Sequence, residues 1–196
     1  MKERVNVAVF VSGNGSNLGR LIEKFQAGSR IAVALVISNK SDAYALVRAE
    51  AAGIPNRVVN KTQLNESGFL LPLLDSCGID FIVLAGFLLK APDFLLERYP
   101  RRVINLHPAL LPKFGGKGMY GHYVHEAVKA AGEIETGMTV HYVSGVIDGG
   151  EIIAQFKTPL LPADGPEDIA RKEHELEMRH FPQVVEEVVK KEFGLE

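Results

Sequence analysis

Residues 5–17 read VNVAVFVSGNGSN, and this stretch predicts how the chain begins to fold. Residues 5–11 form a dense apolar run rich in β-branched side chains, which is typical of a parallel strand buried on both faces. A Gly-rich loop follows, and residues 18–26 then carry apolar side chains at helical spacing until Gly28. A strand, a tight loop and a helix in this order predict the first unit of a parallel α/β sheet.

The same alternation continues along the chain. Dense apolar runs predict strands at 31–37, 56–59, 81–85 and 103–105, separated by helices at 41–52, 63–77 and 92–98. The second half predicts a helix at 120–131, antiparallel strands at 137–143 and 151–156, and a long helix at 166–191. Ser41 and Asp42 are the predicted cap of the second helix, and Pro182 is predicted to bend or split the last one. We therefore predict a Rossmann-like, mostly parallel sheet with helices on both faces and ligands beyond the carboxyl ends of its strands.

Size and composition narrow the classes of function. The chain has 196 residues and a net charge of −2, and no basic stripe interleaved with aromatic residues suggests nucleic-acid binding. Its single cysteine, Cys77, excludes an intrachain disulfide and is expected to be a buried, inert thiol. No signal peptide and no apolar run of the ~20 residues that span a bilayer is recognisable. No membrane association is predicted, and a cytoplasmic location is the default expectation.

The loop after the first strand is a candidate phosphate site. Small residues let backbone N–H groups approach an anion, and a helix N-terminus adds partial positive charge. A dinucleotide fingerprint would need glycine where Leu18 stands, and no acidic residue ends the second strand. A single phosphate group is therefore favoured, while a tight turn with a capping serine is the alternative. The candidate residues are Gly13, Asn14, Gly15, Ser16 and Asn17.

A second candidate site lies in residues 103–112, VINLHPALLP. Residues two apart in a strand point to the same face, so Asn105 and His107 can project into one cavity. An amide N–H is a fixed donor suited to an oxyanion, and an imidazole can carry a proton near neutral pH. With a carboxylate nearby, this pair would suit acyl transfer. The alternative is an asparagine that bonds a turn and a structural histidine.

Asp148 is the candidate carboxylate. The following Gly149 and Gly150 permit a strained turn that could aim it inward, although an ordinary Asp-Gly hairpin turn is the alternative. If Asp148 meets His107, its charge is expected to raise the pKa of that histidine.

The other histidines and acids of the second half receive plainer interpretations. His122, His125 and Glu126 have the order His-x-x-His-Glu, which does not match the zinc motif His-Glu-x-x-His, so a helix surface is favoured and no metal is predicted. His141 could support the site or pack in the core. Glu173, Glu175 and Glu177 lie on the last predicted helix, where most such charges face solvent.

Five stretches together resemble the folate-dependent phosphoribosylglycinamide formyltransferase family. They are SGNGSN at 12–17, ISNK at 37–40, VLAGF at 83–87, INLHPALLP at 104–112 and VIDGG at 146–150. The resemblance implies one seven-stranded domain over 1–196, with a nucleotide-binding half at 1–105 and a catalytic, folate-binding half at 106–196. It implies transfer of a formyl group from 10-formyltetrahydrofolate, the co-substrate, to the amine of glycinamide ribonucleotide in purine biosynthesis. A homodimer is compatible with it.

The resemblance also implies roles for individual residues. Asn105, His107 and Asp148 are the expected catalytic trio. Asn105 and His107 are expected to hold the oxyanion as the amine attacks the formyl carbon directly, and Asp148 is expected to keep His107 protonated. The loop at 13–17 is expected to hold the phosphate, and Glu177 to receive the ribose hydroxyls. The expected folate cleft comprises Phe87, Leu88, Leu89, Ser144, Gly145, Val146 and Ile147. Leu89 departs from the family, which often has arginine there. The rival interpretations are a formyltetrahydrofolate hydrolase, in which water replaces the amine, and a non-catalytic nucleotide-binding module. The tight loop beside the site also predicts a cis bond between Leu111 and Pro112.

Overall fold

A computed structural model describes residues 3–25 and 28–195. The elements in chain order are β1 (Val5–Val11), α1 (Ser16–Lys24), β2 (Ile31–Ser38), α2 (Tyr44–Ala51), β3 (Asn56–Val58), α3 (Lys61–Leu64), α4 (Ser67–Ser76), β4 (Phe81–Ala85), α5 (Asp93–Arg98), β5 (Val103–His107), α6 (His122–Ala130), β6 (Glu135–Tyr142), β7 (Ile152–Pro159) and α7 (Pro166–Phe193). The predicted last residue of the first helix, Gln26, lies outside the described residues, and α1 ends at Lys24. The predicted alternation of strands and helices is confirmed.

The strands form one seven-stranded sheet in the order β3-β2-β1-β4-β5-β6-β7. The first five of these strands are parallel, and β6 runs antiparallel to both of its neighbours. The predicted mostly parallel sheet is therefore confirmed. Because β1 and β4 lie at the centre, the loops that follow them meet where the strand order reverses, which is where such sheets bind ligands.

Side chains of β1 alternate between two hydrophobic cores, one on each face of the sheet. Val7 and Val9 pack with residues of α1, α2 and α7, whereas Ala8 and Phe10 pack with residues of α4 and α5. The period of two follows from strand geometry. Burial on both faces explains why the parallel strands are continuously apolar.

Several local predictions need correction. The single helix predicted at 63–77 is two helices, because Asn60 and Gln63 form a capping box that starts α3 and Asn65 ends it. Ala43 rather than Ser41 or Asp42 precedes α2, and no side chain caps that helix. Helix α7 continues through Pro182 without splitting. Cys77 follows α4 and is half-buried, not buried.

The described residues also bear on two further expectations. The peptide bond between Leu111 and Pro112 is cis, as predicted. No helix within residues 3–25 and 28–195 is long and apolar enough to cross a membrane.

Candidate active site

The carboxyl-end loops of the sheet open on a cavity of about 860 Å³, a volume typical of small-molecule sites. Its walls come from the loops after β1, β4 and β5, from the loop between β6 and β7, and from one face of α7. The predicted site residues that line it are Gly13, Phe87, Leu88, Leu89, Asn105, His107, Ser144, Val146, Ile147, Asp148 and Glu177. Both predicted halves of the chain thus contribute to one cavity.

Ser12 links the ends of three strands that border this cavity by hydrogen bonds. Its hydroxyl donates to Asn39 Oδ1 at 2.5 Å and accepts the backbone N–H of Leu88 at 2.9 Å. Ser12 is buried, so these bonds are protected from water. These two hydrogen bonds therefore hold the loop after β1 against the loops after β2 and β4.

The loop at residues 13–17 has one cavity-facing residue and several supporting ones. Gly13 lines the cavity, and no heavy atom lies within 4 Å of the place where a Cβ would stand. Gly15 has φ +73°, and a Cβ there would lie 2.6 Å from the Cβ of Ala45. Arg48 donates to the side-chain and backbone oxygens of Asn14 at 2.8 and 2.9 Å. The other four residues predicted to hold the phosphate do not line the cavity. They are Asn14, Gly15, Ser16 and Asn17.

The three predicted catalytic residues converge in the cavity. Asn105 and His107 project from the same face of β5, and Asp148 reaches them from the loop between β6 and β7. Asp148 Oδ2 lies 3.5 Å from His107 Nδ1, and Asp148 Oδ1 lies 3.5 Å from Asn105 Nδ2. The amide, imidazole and carboxylate therefore form one contiguous group.

The backbone around Asp148 is strained in a way that aims its carboxylate inward. Asp148 itself adopts a left-handed conformation with φ +54°, which is uncommon outside glycine. A Cβ at Gly149 would lie 2.8 Å from Val146 Cγ1, and one at Gly150 would overlap the carbonyl oxygen of Tyr142. Gly150 therefore admits no side chain, and the connection between β6 and β7 spans residues 143–151, so this segment is not an ordinary two-residue hairpin turn.

His107 lies between two oxygen acceptors. Its Nε2 is 2.8 Å from the carbonyl oxygen of Phe114, and its Nδ1 faces Asp148. Burial lowers the pKa of His107 below its ordinary value, although Asp148 and the Phe114 carbonyl act in the opposite direction. Asp148 therefore acts on the pKa of His107 in the expected direction, but the ring is 3% exposed and burial has the larger effect.

His141 supports the trio from β6. Its Nδ1 lies 2.9 Å from the carbonyl oxygen of Tyr142, so Nδ1 carries a proton and donates it. Its Nε2 lies 3.1 Å from Asn105 Nδ2 and 3.6 Å from Asp148 Oδ1, so His141 contacts both the amide and the carboxylate of the trio. Burial opposes ionisation of Asp148, but contacts with His141, His107 and the N–H of Gly116 lower its pKa below the ordinary value. Asp148 is therefore an anion at neutral pH.

The acids of α7 differ from the sequence-based expectation. Glu175 is exposed as predicted, but Glu173 is buried and Glu177 is half-buried. Glu177 Oε2 accepts from Asn17 Nδ2 at 2.8 Å, which links α7 to the loop after β1. Glu173 lies 2.9 Å from Nε2 of His125, which is also buried and not on the helix surface as predicted.

Sequence reasoning missed these buried residues, although one pattern indicates them. Ile169, Glu173, Glu177 and Phe181 recur every four residues on α7, so they share one face, and its two apolar members are buried. Sequence reasoning also did not single out the cavity-lining cations Lys40 and Lys117. Among the residues that the structure describes, no three His, Cys, Asp or Glu side chains are grouped to hold a metal ion.

Comparison with known proteins identifies the family. A profile described as formyl transferase matches residues 5–185 of this chain. The chain belongs to the formyl transferase family. It is 39% identical over 197 residues to the chloroplastic phosphoribosylglycinamide formyltransferase of Arabidopsis thaliana, an alignment that covers 95% of this chain and 68% of the plant protein. It is 37% identical to the Haemophilus influenzae phosphoribosylglycinamide formyltransferase over 91% of this chain and 84% of that protein.

Solved formyltransferase structures share the whole fold. The crystal structure of phosphoribosylglycinamide formyltransferase from Bacillus halodurans superposes with a TM-score of 0.86 at 31% identity, over 97% of this chain and 98% of that one. The structure of the Coxiella burnetii phosphoribosylglycinamide formyltransferase gives a TM-score of 0.82 at 38% identity, over 93% and 85% of the two chains. The sequence-based resemblance to this formyltransferase family is therefore confirmed.

Proposed function

We propose that this chain is a phosphoribosylglycinamide formyltransferase, which moves the formyl group of 10-formyltetrahydrofolate to the amine of glycinamide ribonucleotide in purine biosynthesis. The observation that carries the proposal is the convergence of Asn105, His107 and Asp148 in the cavity of a formyl transferase family member. Relatives that match nearly the whole chain carry this enzyme name.

The reaction needs a donor for a developing oxyanion. The amine nitrogen attacks the formyl carbon, the carbonyl electrons move to oxygen, and the bond from carbon to folate N10 breaks as the tetrahedral intermediate collapses. Asn105 Nδ2 has one hydrogen fixed on His141, while its contact with Asp148 is long at 3.5 Å. That second hydrogen is available to the oxyanion, a type of contact worth about 3–4 kcal/mol of barrier.

His107 is the proton carrier in this proposal. The amine loses one proton and N10 gains one, so a single base that returns its proton suffices. A lowered pKa leaves the imidazole neutral and ready to accept at neutral pH. The resulting imidazolium is stabilised by Asp148 and by the Phe114 carbonyl until the proton passes to N10. One of these two acceptors must give way to the reacting nitrogen when substrates bind.

The two substrates occupy opposite ends of the cavity in this proposal. The ribonucleotide phosphate lies at Gly13, and Glu177 receives its ribose hydroxyls. The folate ring lies between the loop after β4 and the loop between β6 and β7. Exposed apolar side chains border that end, which suits a flat heteroaromatic ring. They are Leu88, Val146 and Ile147.

The test is an absorbance assay for the folate product with and without glycinamide ribonucleotide. Product that forms only when the ribonucleotide is present, together with formylated ribonucleotide in equal amount, supports the proposal. Product that forms at the same rate from water alone indicates a hydrolase. No product under either condition indicates a non-catalytic binding module.

A further inference from the structure

Glu173 is a buried acid that the reaction scheme above leaves unused. It is 3% exposed, and its Oε2 lies 2.9 Å from His125 Nε2. Its other oxygen, Oε1, is fully buried and has no hydrogen-bond donor among the described residues. A buried carboxylate oxygen without a donor is costly, so the protonation state of Glu173 needs an explanation.

The neighbouring acid supplies that explanation. Glu177 lies one helical turn further along α7, on the same face of the helix. Burial raises the pKa of Glu173 well above its ordinary value, and the charge of Glu177 and a hydrogen bond to it act in the same direction. Burial also lowers the pKa of His125. A neutral acid beside a neutral imidazole is therefore favoured over an ion pair.

We propose that Glu173 is a positioning residue, whose neutral carboxyl donates a hydrogen bond from Oε1 to Glu177 and accepts one at Oε2 from His125. This arrangement gives every polar atom of the Glu173 side chain a partner. Glu177 then accepts a hydrogen bond from Glu173. It also accepts hydrogen bonds at Oε2 from Asn17 at 2.8 Å and from His174 at 3.3 Å. The inference rests on the proposed function, in which Glu177 receives a vicinal diol of the ribonucleotide.

The groups that face this acid determine how it responds to pH. Helix α6 contributes His125 and, next to it, His122, while α7 contributes His174 and Glu177. When pH rises far enough to ionise Glu173, two adjacent carboxylates repel one another and Glu177 loses its donor. The affinity for the ribonucleotide is therefore expected to fall on the alkaline side, while binding of the folate is unaffected.

Two variants separate this role from simple packing. Glu173→Gln keeps a donor for Glu177 and an acceptor for His125, so its ribonucleotide KM at pH 7 is expected to stay within about twofold of wild type. Glu173→Met keeps the volume but removes both groups, so ribonucleotide KM is expected to rise about tenfold with kcat nearly unchanged, since a bond to a charged partner is lost. Glu175→Gln, on the exposed face, is the matched control and should change nothing.

The pH profile and a spectroscopic measurement complete the test. Wild-type ribonucleotide KM should rise in alkali, and Glu173→Gln should not show that rise. Independently of activity, ¹³C NMR of glutamate carboxyls at pH 7 should show one protonated signal that is absent from Glu173→Gln. Absence of that signal in the wild-type protein overturns the inference, as does an unchanged KM in Glu173→Met. An inactive wild-type enzyme that shows the signal would overturn the proposed function instead.

Discussion

Replacing Asp148 with asparagine removes one charge from the catalytic group while preserving the shape of the side chain. Asp148 Oδ2 lies 3.5 Å from His107 Nδ1, and the side chains are 10% and 3% exposed. With an effective dielectric constant of about 20, opposite unit charges at that separation attract by about 5 kcal/mol. Solvent that enters the cavity screens part of this attraction, so we expect the imidazolium formed during the reaction to lose about 3–4 kcal/mol, again as an order of magnitude.

That loss corresponds to a decrease in kcat of about a hundred- to a thousandfold. The assay is steady-state formation of the folate product with both substrates saturating. Ribonucleotide affinity should be nearly unchanged, because the substituted carboxylate faces His107 rather than the loop after β1. Asp93→Asn is the matched control, since Asp93 is exposed on α5 and pairs only with Lys90 among the described contacts. A kcat of Asp148→Asn within tenfold of wild type, or an equal loss in the control, would refute the reasoning.

The remaining predictions concern the oxyanion donor, the pH profile and the loop after β1. Asn105→Ala should lower kcat by about 10²–10³ with little change in either KM, because its amide donates mainly in the transition state; a change confined to KM would contradict this role. In acid, kcat should fall with a midpoint below pH 6.5, because neutral His107 is the base and its pKa is lowered. Asp148→Asn should move that midpoint to a still lower pH, and a wild-type midpoint above pH 6.5 would contradict the role of His107. Gly15→Ala should lower the free energy of unfolding by about 1–3 kcal/mol in a denaturant titration, because Gly15 has φ +73° and abuts Ala45; an unchanged stability would show that the loop relaxes.

Strand geometry made part of the site predictable from the sequence. Asn105 and His107 share a face because alternate residues of any strand do, and their strand could be recognised from its apolar run. The loop after β1 was predictable because strand, small residues and helix follow each other directly. These features were predictable because each depends only on the residue pattern of one short stretch of chain.

Other features depend on contacts that no local pattern records. The effect of Asp148 on the pKa of His107 has the expected direction, but the larger effect of burial depends on how the whole chain packs around the ring. Asp148 reaches the site only because β6 pairs antiparallel with β5. The residues alone did not predict that pairing, and the family resemblance implied only that Asp148 belongs to the catalytic trio. The pairing of Glu173 with His125 requires α6 to pack on α7. Burial of polar groups thus followed from tertiary packing.

The role of His107 is tested most directly by single-turnover formyl transfer in His107→Asn, with enzyme in excess over 10-formyltetrahydrofolate and ribonucleotide binding measured in parallel. The account predicts that transfer slows by about a hundredfold or more while ribonucleotide affinity stays close to that of the wild-type enzyme. Transfer at a near-normal rate in this variant would contradict the assignment of His107 as the proton carrier.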